Sequence, residues 1–150
     1  MLMNLFRFFF KDRTVLGFYL PFAAAILALV SGFLYLGFSS SRYYSPLMSV
    51  FAIVGGASFL LLSLFPLTTR WASIPLFAFV FVAFLMLIKD GYLYFSEAFY
   101  GKFSLEALFK MDLCFLYPLL GSILAMVLSE FGIYAPSRKK GFQMEAKEAN

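Results

Sequence analysis

The sequence has no histidine and only one cysteine, Cys114, among its 150 residues. A single cysteine excludes an internal disulfide, and without histidine the chain lacks the commonest general base and metal ligand. Metal and haem sites built from clusters of histidine or cysteine are therefore not expected within it. We accordingly predict no metal and no cofactor.

Charge is scarce as well. Charged residues make up 13% of the chain and hydrophobic residues 63%, and the mean hydropathy is +0.88. Soluble domains average about 45–50% apolar and about 25% charged residues, so a soluble core could not hide this much apolar surface. The sequence therefore predicts an integral membrane protein. Its net charge of +4 lies mostly near the chain ends and indicates topology rather than nucleic-acid binding.

Four apolar runs are long enough to cross a bilayer, whose hydrocarbon core of about 30 Å needs about 20 helical residues. We predict spans at about 14–38, 45–67, 72–88 and 113–134. The third is the shortest and lies at the short end of the usual range. The predicted fold class is thus an all-α integral membrane protein with four transmembrane helices.

The termini carry most of the basic residues. Eight of the twelve lysines and arginines lie in the termini or the 68–71 turn. The positive-inside rule therefore places both ends on the cytoplasmic side of the membrane, which we expect to be a cell inner membrane.

Residues 1–13 have helical apolar spacing, which predicts an amphipathic interfacial helix; a plain lead into the first span is the alternative. Residues 135–150 read as a polar cytoplasmic tail. Five basic residues near the spans are candidates for contact with anionic lipid: Arg7, Lys11, Arg138, Lys139 and Lys140.

Small residues at four-residue spacing predict where helices approach one another in lipid. The first, second and fourth spans carry such stripes, whereas the third is rich in phenylalanine, so we expect the third at the edge of the bundle. The stripes serve internal packing or a seam between copies of the chain. Their residues are Ala24, Ala28, Gly32, Ala52, Gly56, Gly121, Ala125 and Ser129.

The longest break between apolar runs is the stretch from Lys89 to Asp112. We predict two short helices here, with Ser96 and Ser104 as N-caps and Gly101 between them. The stretch is either an amphipathic surface segment anchored by aromatic residues or a platform for a partner subunit or a lipid-like substrate. The docking candidates are Tyr92, Tyr94, Phe95, Phe99, Tyr100, Phe103 and Phe109.

Glu130 is the only acidic or basic residue inside the four predicted spans. A charge within a span is by default a functional hypothesis, here ion or proton coupling. Because Glu130 lies about one turn from the end of its span, a solvated or paired carboxylate is the structural alternative. Cys114 is most simply a small buried residue.

No set of residues in this sequence indicates catalysis. We therefore expect a non-enzymatic subunit, assembly factor or scaffold of a larger membrane complex. Its expected partners are membrane lipids and other integral membrane proteins or further copies of itself, and nucleic acid is not among them. A transporter or channel component for a small or lipid-like solute is the alternative, and a lipid-modifying membrane enzyme comes third.

Overall fold

A computed structural model describes residues 15–40, 42–65, 68–100 and 105–136, all of which form helices or the turns between them. The predicted interfacial helix, the polar tail from residue 137 onward and the five candidate lipid-contacting basic residues lie outside these ranges. A π-helical turn, Val15–Tyr19, leads into α1, and a 3-10 turn, Gly37–Ser40, follows it. The α-helices are α1 (Leu20–Leu36), α2 (Pro46–Leu64), α3 (Ser73–Ala98), α4 (Leu105–Phe109) and α5 (Leu113–Tyr134).

Among the described residues, four helical segments are long and apolar enough to cross a membrane: Leu16–Ser39, Pro46–Leu64, Ser73–Glu97 and Leu113–Tyr134. An α-helix bonds its own backbone polar groups, as hydrocarbon requires. For these residues, the prediction of an all-helical fold with four helices suited to crossing a membrane is therefore confirmed.

The turn after α2 satisfies main-chain carbonyls that the helix end leaves free. The Thr68 hydroxyl donates to the carbonyl of Leu62 at 2.7 Å, and the Thr69 hydroxyl donates to that of Phe65 at 2.8 Å. At its other end, α2 starts with Pro46, which has no N–H to satisfy and is suited to the first position of a helix.

The four spans form a ring in the order α1, α2, α3, α5, so that α1 and α3 face each other across it. Glycines mark the closest approaches, since an added Cβ would lie within 3 Å of a side chain of a neighbouring element. The pairs are Gly32 with Ile53, Gly37 with Cys114, Gly55 with Phe79, Gly56 with Leu29, Gly91 with Phe115, Gly121 with Ser31, and Gly132 with Pro21 and Ser73. Of the eight predicted stripe residues, Gly121 is half-buried and the other seven are buried: Ala24, Ala28, Gly32, Ala52, Gly56, Ala125 and Ser129.

Helix α3 was expected at the edge of the bundle. In the structure it packs against both α2 and α5. Its inward face is formed by Leu76, Val80, Ala83 and Leu87, all of which are buried. The small residue at its contact with α2 belongs to the neighbour, where Phe79 lies over Gly55. The span remains the least buried of the four, at 28% against 33–39% for the others.

Helix α3 also continues ten residues past Ile88, where the predicted third span ends. Ser96 lies inside this helix and its hydroxyl donates to the carbonyl of Leu93 at 2.9 Å, so it does not cap a new helix. The first of the two short helices predicted between Lys89 and Asp112 is therefore the end of α3, and the second is α4. Gly101, Phe103 and Ser104 lie outside the described residues.

Candidate functional site at the projecting end of α3

Contacts between the helices fix two levels in the bundle. At one end, which we call the terminal end, Gly132 of α5 contacts Pro21 of α1 and Ser73 of α3. At the other end, the aromatic end, Gly91 of α3 contacts the ring of Phe115 of α5. At 1.5 Å per residue, the eighteen residues from Ser73 to Gly91 span about 27 Å, close to the hydrocarbon thickness of about 30 Å. Residues 92–98 of α3, the projecting segment, therefore extend about 10 Å beyond the bundle.

An aromatic cluster closes the bundle at this level. Phe115 lies at its centre, with its ring centroid 5.0 Å from that of Tyr94 and 5.4 Å from that of Phe38. The Tyr35 ring is fully buried and lies 5.6 Å from Phe38. Aromatic pairs at such distances contribute about 0.5–1.5 kcal/mol each beyond the area they bury. The cluster therefore holds the base of the projecting segment against α1 and α5.

One polar contact ties the projecting segment to α5. The main-chain N–H of Asp112 donates to the Tyr94 hydroxyl at 2.8 Å, and the Asp112 carboxylate accepts from the N–H of Cys114 at 2.9 Å. Asp112 is thus the N-cap of α5, in the role that short acidic side chains favour. A single residue therefore connects the start of α5 with the base of the projecting segment.

A second polar contact ties the projecting segment to the loop before α2. The Arg42 guanidinium lies 2.7 Å from the Glu97 carboxylate, and the Tyr43 hydroxyl donates to the same carboxylate. The guanidinium also donates to Tyr43, and hydrogen bonding by Tyr43 together with the charge of Glu97 raises the pKa of Arg42. Both charged side chains are exposed, so this pair orients the segment more than it stabilises the fold.

A groove of about 490 Å³ runs between α3 and α5 at the aromatic end. Its lining is apolar apart from Ser96, whose hydroxyl already donates to the main chain, and the Tyr92 hydroxyl. The lining residues are Leu87, Ile88, Gly91, Tyr92, Phe95, Ser96 and Phe99 of α3 and its C-cap, with Phe115 and Leu119 of α5. The groove therefore offers a mainly apolar surface for binding.

A separate set of apolar side chains points away from the protein at the same end. We call it the projecting face: Leu93 is 59% exposed, Tyr100 95%, Leu105 72% and Phe109 80%. On a helical wheel, Leu93 lies more than 100° from the middle of the groove face formed by Tyr92 and Phe95. The aromatic end therefore presents two different apolar surfaces, the groove and the projecting face.

The seven predicted docking residues divide between these environments. Tyr94, Phe95 and Phe99 are half-buried, and the first packs into the aromatic cluster while the other two line the groove. Tyr92 is exposed at the rim of the groove, and Tyr100 and Phe109 belong to the projecting face. The seventh, Phe103, falls outside the described residues.

Glu130 lies on the outer surface of the bundle. Its side chain is exposed and borders a cleft of about 440 Å³ with Leu16, Val127 and Tyr134 near the terminal end. The only salt bridge within the described ranges is that of Arg42 with Glu97, so Glu130 forms none there.

Several hydroxyl groups within the spans bond to the helix that carries them, whereas the Ser49 hydroxyl is buried without a hydrogen-bond partner among the described residues. Ser122 donates to the carbonyl of Leu119 and Ser129 to that of Met126, both at 2.9 Å. In the part of the chain that the structure describes, no three Cys, Asp or Glu side chains come close enough together to hold a metal ion.

Four residues of this end are not among the site residues that the sequence predicts: Phe38, Arg42, Tyr43 and Phe115. The available signal was the inward pattern Leu87, Gly91, Tyr94, which continues the helical spacing of α3 past Lys89.

No family model, curated protein or solved structure matches this chain. The indications of its function therefore come from the surfaces of the protein itself.

Proposed function

We propose that the chain is a small, non-catalytic subunit or scaffold of a larger complex in the inner membrane. In this proposal both termini are cytoplasmic and the projecting segment lies on the opposite side. The observation that carries the proposal is the projecting face, four large apolar side chains at the aromatic end where α3 extends beyond the bundle.

Exposed apolar side chains need no explanation within a span, because lipid covers them. The projecting face stands at the level of the headgroups or beyond, where Tyr100 and Phe109 are 95% and 80% exposed. Exposed apolar surface outside hydrocarbon is typical of protein interfaces, and aromatic residues are enriched at their centres. The polar contacts of Tyr94 and Glu97 hold the part of this face that carries Leu93 in place before a partner arrives, which lowers the ordering cost of binding.

The test uses photo-crosslinking in native membranes. A photoreactive amino acid placed at Tyr100 or Phe109 should yield a discrete protein adduct, and the same residue at Leu61, which is 62% exposed on the lipid-facing side of α2, should not. The crosslinked partner should also co-purify with the unmodified chain in mild detergent.

The double variant Tyr100→Ser with Phe109→Ser should release that partner. Tyr134→Ser is the matched control, because Tyr134 is 82% exposed at the terminal end. A chain that purifies alone and forms no protein adduct from either position would show that the proposal is wrong.

A further inference from the structure

We infer that the groove between α3 and α5 binds one hydrocarbon chain of a membrane lipid and holds it partly above the bilayer core. This inference concerns a different surface from the projecting face and does not depend on the proposed partner.

The groove is continuous with the surface that faces the bilayer. Its inner end is formed by Leu87, Ile88 and Leu119, and Ile88 is exposed on the lipid-facing side of α3. Its outer end is Phe99, twelve residues from Leu87 and so about 18 Å away along the helix. Since Gly91 marks the end of the bundle, about 12 Å of this apolar path lie beyond it.

The shape of the groove suits an elongated apolar occupant. Its volume of about 490 Å³, within the roughly 300–1,000 Å³ of ligand sites, is spread along about 18 Å of helix. A single extended hydrocarbon chain from the adjoining bilayer can follow this path from its inner end to Phe99.

The chemistry of the lining agrees with this occupant. The half-buried rings of Phe95 and Phe99 and the exposed side chain of Ile88 offer apolar contact along the path, over a floor formed by the buried side chains of Leu87 and Phe115. An apolar chain gains about 0.8 kcal/mol for each methylene removed from water. Outside the hydrocarbon core, the walls of the groove replace the bilayer for that part of the chain.

The test is tryptophan quenching by lipids with brominated acyl chains. The native Trp71 is first replaced by Phe, and a single tryptophan is then introduced as Phe99→Trp in the groove or as Tyr100→Trp at the same height on the projecting face. The purified protein is reconstituted in vesicles of phosphatidylglycerol with dibrominated or unbrominated chains.

Brominated chains should strongly reduce the fluorescence of the Phe99→Trp protein and leave that of the Tyr100→Trp protein unchanged. Adding Ser96→Phe, which places bulk in the outer half of the groove at an exposed position, should remove most of the quenching.

Equal quenching at both positions would mean that the bilayer simply surrounds the projecting segment, and no quenching at Phe99→Trp would mean that no chain enters the groove. Either result overturns the inference. Because these experiments contain no partner protein, they succeed or fail independently of the crosslinking result.

Discussion

Gly56→Ala should destabilise the bundle although it introduces the best helix-forming residue. An added Cβ at this position would lie 2.6 Å from Cγ of Leu29 and 2.7 Å from the carbonyl oxygen of Ala25. The Leu29 side chain can change its rotamer, but the Ala25 oxygen belongs to the main chain of α1. The two helices must therefore move apart, and the fully buried contacts beside them loosen.

The expected magnitude follows from two opposing terms. Overpacking costs about 1–3 kcal/mol, and a rigid obstacle places this site at the upper end, whereas alanine in place of glycine returns about 1 kcal/mol of helix propensity. The net loss for Gly56→Ala should be about 2 kcal/mol. Gly121→Ala is the matched control, because its Cβ would meet the Ser31 hydroxyl, which can rotate away. For Gly121→Ala the overpacking cost and the gain in helix propensity should then nearly cancel, so its free energy of unfolding should change little.

Reversible unfolding of both variants in mixed micelles with increasing dodecyl sulfate, followed by circular dichroism, measures this difference. Equal free energies of unfolding for Gly56→Ala and Gly121→Ala would refute the reasoning, since both replace glycine with alanine in a helix. The same result would show that close approach of the two backbones does not determine the packing of α1 against α2.

Two further predictions concern the aromatic end. Tyr94→Phe removes the acceptor of the Asp112 N–H, so hydrogen exchange should become faster in residues 92–98 and at the start of α5 while the spans stay protected; unchanged exchange would mean that the contact does not hold the segment. In a Cys114→Ser background, Tyr100→Cys in intact cells should react with a membrane-impermeant maleimide, whereas Tyr134→Cys should react only after the membrane is opened. The reverse pattern would invert the proposed orientation.

The spans could be predicted from the sequence because a bilayer imposes a simple rule on it. A membrane-spanning helix requires an uninterrupted apolar run of sufficient length, and it bonds its main-chain groups within that run. Hydropathy is therefore sufficient to locate the first, second and fourth spans to within a few residues. It also places the start of α3 correctly, near Ser73.

The end of α3 could not be found in this way, because hydropathy reports depth in the membrane and not whether a helix continues. Lys89, Asp90 and Gly91 are typical of a break between elements. In the structure an unbroken helix runs through them, and its inward face continues through Gly91 to Tyr94. The spacing of that inward face indicates that the helix continues, whereas hydropathy does not.

The candidate site depends on such long-range pairing throughout. Gly91 and Phe115 are twenty-four residues apart on different helices, and the lack of a Cβ at Gly91 is what allows the Phe115 ring to approach α3. Gly91 and the Phe115 ring form the floor of the groove. Their contact also fixes which of the residues after Gly91 face the groove. Phe99 and Tyr100 are adjacent aromatic residues, yet Phe99 lines the groove and Tyr100 is 95% exposed. Composition alone therefore identifies an aromatic platform, and only the position of each ring separates a surface suited to a lipid chain from one suited to a protein.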